Sequence, residues 1–71
     1  MSESLVKVTV NGEPREVVQG TTIRSLLESL RIRAERVAVE VDAEVIRGAR
    51  HAEHRLLGGE KVEIVTFVGG G

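Results

Sequence analysis

The sequence predicts an α+β domain in which a mixed sheet of four or five strands carries one amphipathic helix on one face. Three observations predict it. Valine and isoleucine make up 16 of 71 residues, a bias toward strands. Asn11-Gly12 separates two strand-like runs, the strongest short hairpin signal. Ile23, Leu26, Leu27 and Leu30 recur at i, i+3, i+4 and i+7, the apolar stripe of a helix that packs on one surface.

The elements follow in order. In Leu5–Val10, Val6, Val8 and Val10 share one face and Lys7 and Thr9 the other, the period of a half-buried strand. Asn11-Gly12 turns the chain because both central residues of a type I′ turn need positive φ. Pro14 cannot donate to a ladder, so it belongs at the edge of that turn, and Arg15–Val18 returns. Thr21 or Thr22 then supplies the N-cap of the helix. Arg24, Ser25, Glu28 and Ser29 form its polar face, and Arg31 and Arg33 fall near its end, where the helix dipole favours cations. Val37, Val39 and Val41 alternate with Ala38 and Glu40 as a third strand. Asp42-Ala43-Glu44 turns into a short fourth strand at Val45-Ile46. Residues 47–55 are charged and poorly periodic, with room for one helical turn. Gly58-Gly59 marks a tight turn, and Lys61–Val68 is the last strand. If it lies beside the first strand it runs parallel to it, through a right-handed crossover. The expected organisation is one domain over residues 1–68 and a flexible tail at residues 69–71.

Composition removes many functions. The chain has no Cys, which excludes disulfides, thiolate zinc sites and cysteine nucleophiles. Eleven acidic and ten basic residues leave a net charge of −1, and Phe67 is the sole aromatic residue, so there is neither a basic footprint nor a stacking platform for nucleic acid. The apolar runs are too short to span a membrane, and no signal peptide is recognisable, so the expected location is the cytoplasm. His51 and His54 lie three apart, but no third ligand is spaced nearby. A solvated turn is the simpler reading of that segment than a metal pair or a general base. Arg31, Arg33 and Arg36 form a short basic cluster that reads as solvated surface or as a docking patch. Gly58-Gly59 lacks the Lys and Ser/Thr of a phosphate loop, and no helix follows Gly69-Gly70-Gly71. The chain is expected not to be an enzyme, to hold no metal and to bind no cofactor of its own.

Two features remain. Gly69-Gly70-Gly71 follows an apolar strand directly. Without Cβ atoms, these residues are thin enough to thread a narrow active site, with the main-chain carboxylate of Gly71 as the reactive group. Val65 and Phe67 alternate out of phase with Val62 and Ile64. They form either an exposed partner-docking patch or a pair covered by residues 47–55.

At Val10-Asn11-Gly12-Glu13-Pro14, Thr21-Thr22-Ile23 with Leu26-Leu27, Val37-Ala38-Val39-Glu40 and Val62 to Gly71, the chain resembles the ThiS family of sulfur carriers in thiamine biosynthesis. These are ubiquitin-like β-grasp proteins related to the small subunit of molybdopterin synthase. Family members often carry Val-Pro-Arg and then a Trp before the last hairpin; here the stretch reads Ile46-Arg47-Gly48, with His51 in the place of the Trp. The resemblance implies that an adenylating, E1-like activating enzyme uses ATP and Mg²⁺ on Gly71. Sulfur from a donor such as a cysteine desulfurase then replaces AMP, and the thiocarboxylate is delivered to thiazole synthase. Gly69 and Gly70 would form the threading tail. A sulfur carrier for molybdopterin or tRNA thiolation, a protein modifier and a non-covalent interaction module are the other readings these residues admit.

Overall fold

The computed structural model describes residues 3–67. Strand β1 is Leu5–Val10, β2 Glu13–Val18, helix α1 Ile23–Ser29, β3 Val37–Val41, β4 Glu44–Ile46 and β5 Lys61–Thr66. The five strands form one sheet in the order β2-β1-β5-β3-β4. Only β1 and β5 run parallel, with Val10 opposite Val62; the other neighbours are antiparallel. Residues 68–71, and with them the expected end of β5 at Val68 and the tail, lie outside the described residues.

The turns obey their local chemistry. Asn11 and Gly12 take φ of 50° and 84°, as a type I′ hairpin requires. Thr22 is the N-cap of α1: its Oγ1 accepts from the Ser25 N–H at 3.0 Å. Thr22→Ala should therefore cost about 1 kcal/mol in a urea titration, with the slope unchanged. The helix ends earlier than the position of Arg31 and Arg33 suggests, and no basic residue occupies its last turn. Leu30 caps it and Arg31 turns left-handed at φ 60°. The Arg31 N–H donates to Glu28 O at 3.1 Å and the Ile32 N–H to Leu27 O at 2.9 Å, the paired bonds of a Schellman cap.

One face of the sheet packs on α1. Val8 and Val10 from β1, Val37, Val39 and Val41 from β3, and Val62 and Ile64 from β5 meet Ile23, Leu26 and Leu27. Leu30 and Ile32 pack at the margin. Leu56, outside any strand or helix, is 0% exposed in the same cluster.

Residues 47–55 hold the single helical turn the sequence leaves room for, but they are not the solvated turn expected around His51. Gly48–Arg50 is a single 3₁₀ turn. His51, expected in solvent, is only 4% exposed. Its Nε2 lies 2.9 Å from Ile46 O, which requires the Nε2–H tautomer, and its Nδ1 is buried without a partner. The main chain here docks on the start of α1: Ile23 N–H donates to His54 O and Arg24 N–H to His51 O, each at 3.0 Å. These bonds go to residues about thirty positions away, which is why no local periodicity announces them. Gly58 packs so closely on β1 that a Cβ there would lie 3.2 Å from the Val6 Cβ, and its φ of +120° suits glycine alone.

Candidate docking face and tail

With one sheet face covered by α1, alternation along each strand decides what the other face shows. On β5, Val62 and Ile64 are buried against the helix, so Val65 points to the open face. Val65 is 55% and Phe67 58% exposed, and the 47–55 segment, the alternative cover, packs at the start of the helix instead. Val65 stands opposite Ala38 of β3. Beyond the last strand residue, the Phe67 N–H still donates to Arg36 O at 2.9 Å, so the pairing with the chain before β3 holds Phe67 in line. The structure thus brings Val65 and Phe67 together on one exposed surface at the end of β5.

Val45 belongs to the same face and is 61% exposed. It stands opposite Glu40, which in turn stands opposite Glu63. Strand alternation alone does not reveal Val45 as part of this surface; the β3–β4 register does. Two carboxylates directly opposed across a ladder repel. Among the described residues neither takes part in an ion pair. The open face therefore carries Val65 beside Ala38 in one row and Glu63, Glu40 and Val45 in the next.

His51 and His54 do not form a site. His51 is turned into the core, and among the described residues no three His, Cys, Asp or Glu side chains gather as metal ligands. A hollow beside β4, lined by Val45, Arg47, Arg50, Glu53 and His54, mixes exposed charges of both signs and offers no nucleophile. Among the described residues no helix is long and apolar enough to cross a membrane. Gly69, Gly70 and Gly71 follow Phe67 by two to four positions and lie outside the described residues.

The model of the ThiS family matches residues 8–71, from the middle of β1 through the terminal glycines. The chain belongs to the ThiS family, the sulfur carriers of thiamine biosynthesis. A sulfur carrier protein ThiS from Thermus thermophilus is 34% identical over 64 residues, covering 90% of this chain and 98% of the relative. The crystal structure of a thiamine biosynthesis protein (ThiS) from Geobacter metallireducens superposes with a TM-score of 0.81 at 33% identity, over 93% of this chain and 100% of that one. A thiazole synthase from Paramagnetospirillum magneticum is 36% identical over 66 residues; this chain spans 20% of its length. The fold expected from the ThiS resemblance, a β-grasp sheet with one helix, is the fold observed.

Proposed function

We propose that the protein carries sulfur as a thiocarboxylate on Gly71 and delivers it for the thiazole ring of thiamine. The observation that carries this reading is the family match, which runs through residue 71 and so includes the glycine tail. The chemistry follows from the carboxylate. A carboxylate oxygen is a poor leaving group, so an activating enzyme joins the Gly71 carboxylate to the α-phosphate of ATP and releases pyrophosphate. Hydrosulfide then attacks the acyl carbon, AMP leaves and the thiocarboxylate remains; where a persulfide is the donor, the acyl disulfide formed first is cleaved by a thiol, which is oxidised to a disulfide. The activating enzyme holds the ATP and Mg²⁺; this chain supplies the acyl group and the surface that presents it. The resulting sulfur is softer and more nucleophilic than the oxygen it replaced. Gly69 and Gly70 let the tail pass where a Cβ would clash.

Val65 and Phe67 are the docking surface in this reading. They lie just before the tail, so a partner that grips them places Gly71 within a few residues' reach. Thiazole synthase is the expected recipient. A segment similar to this chain makes up a fifth of a protein of that name, which supports the pairing. Phe67→Asp is expected to weaken binding to the activating enzyme by about ten- to a hundredfold, as loss of a central aromatic anchor does. The melting temperature should stay within about 2 °C, because Phe67 is exposed. Calorimetric titration of the variant checks this, and unchanged affinity would remove Phe67 from the interface.

The function itself is tested by incubating the protein with ATP, Mg²⁺, a sulfide source and the activating enzyme encoded in the same genome. The C-terminal peptide is then analysed by mass spectrometry. Oxidised Met1 mimics an oxygen-to-sulfur exchange at nominal mass, so the peptide and not the intact chain decides. Sulfur on Gly71 is the expected result. An unmodified Gly71 beside a reacting control carrier overturns the proposal.

A further inference from the structure

Asn11 does more than form the β1–β2 turn. Its Oδ1 accepts from the Ile64 N–H at 2.8 Å and its Nδ2 donates to Ile64 O at 3.3 Å, 53 residues away in sequence. The reason lies in the register. The parallel ladder between β1 and β5 ends at Val10 and Val62, because β1 turns away at Asn11-Gly12. The last main-chain bond from this side is Asn11 N–H to Val62 O at 2.9 Å. Beyond it β5 continues to Thr66 with β3 on one flank only. The Asn11 carboxamide, which carries one donor and one acceptor as a peptide group does, takes the place of the missing strand residue beside Ile64. The next position on that flank, Thr66, has no strand opposite it.

We propose that Asn11 is a positioning residue for sulfur loading: it holds the outer half of β5 in line, and so fixes the place from which Phe67 and the tail are offered to the activating enzyme. The inference rests on the tail reading given above. Without the carboxamide, the stretch from Ile64 to Phe67 is an edge paired on one side, which opens more often. The enzyme then meets a smaller fraction of chains in the docking-competent form, and the apparent affinity falls by that fraction. The acyl chemistry, performed on the bound tail, is untouched.

Asn11→Gly is the discriminating variant. Glycine accepts the φ of 50° at this position, so the turn is kept while both bonds to Ile64 are lost. Thr22→Ala serves as a control: it removes the cap of α1 and none of the bonds of β5. Both are assayed as substrates of the activating enzyme, by ATP-dependent pyrophosphate release, at a temperature where circular dichroism shows them folded. For Asn11→Gly the KM should rise about tenfold or more, the combined effect of losing both carboxamide bonds, with kcat within about twofold. Thr22→Ala should leave KM unchanged. Equal KM values for the two variants, or a fall confined to kcat, overturn the proposal. Amide exchange in the unmodified protein gives an independent check. The Ile64 amide should be protected and the Thr66 amide, facing the vacant flank, should exchange faster. Equal rates at the two amides overturn the proposal as well. Failure of the unmodified protein to support pyrophosphate release is a different outcome, since that overturns the sulfur-carrier reading itself.

Discussion

Deletion of Gly70 and Gly71 is expected to abolish sulfur loading and to leave the fold standing. Every buried core residue among those described lies between Val8 and Ile64, so the shortened chain keeps the whole apolar cluster. Its melting temperature should match the full chain within about 2 °C. Its activity should not survive, because the reacting carbon is gone and the new terminus stops two residues short. Each missing residue withdraws the carboxylate by about 3.5 Å of extended chain, and misplacement by a single ångström at a reacting centre already costs on the order of a hundredfold. The same argument applies to one residue added after Gly71, which shifts the carboxylate too far and adds a side chain. Pyrophosphate release with each variant, read beside a thermal melt, checks both halves of the expectation. Loading that persists in the deletion variant would move the function away from the tail.

Leu56→Ala is expected to be the most destabilising single truncation outside the regular elements. Leu56 is fully buried, although it lies in a loop. Its main chain is fixed on both sides: its N–H donates to Thr21 O and its carbonyl accepts from the Gly20 N–H, each at 2.8 Å. The backbone is thereby held from following a shrinking side chain, so a cavity is left rather than closed. Such truncations cost about 2–5 kcal/mol. A chain of this length has roughly 4–11 kcal/mol in total, so the variant loses a large share of it. Its melting temperature should fall by on the order of 10 °C or more. A loss below about 1 kcal/mol in urea titration would show that the loop collapses into the gap after all.

These two residues mark how far the sequence can be read. Gly71 stands out from composition and from the ThiS likeness. Val65 and Phe67 stand out from alternation against Val62 and Ile64, and the structure exposes them as that alternation requires. The β1–β2 hairpin, the helix stripe and β3 are legible because each is governed by neighbours within a few residues. Leu56 and His51 are not. Their main chains are held by bonds to Gly20 and Thr21 (Leu56) and to Arg24 (His51), and no local pattern encodes a partner that distant. The buried imidazole of His51 meets the Ile46 carbonyl. The second role of Asn11 was hidden for the same reason: it exists only once β1 and β5 are known to be parallel neighbours. Val45 joins the open face only through the register of β3 and β4.

The strand order has a further consequence, for the birth of the molecule. β5 is made after the four other strands, yet it sits between β1 and β3 and is the only strand that joins the two hairpins. In chain order the β1-β2 and β3-β4 hairpins precede the strand that lies between them. Closure waits for residues 61–66, and the pairings that accomplish it span large sequence separations, up to the 52 positions from Thr9 to Lys61. A nascent chain interrupted before that point has neither a finished core nor the strand that bears Val65 and leads to Phe67. Synthesis therefore builds inspection into the product: the surface an activating enzyme would grip comes into existence only with the strand that completes the fold.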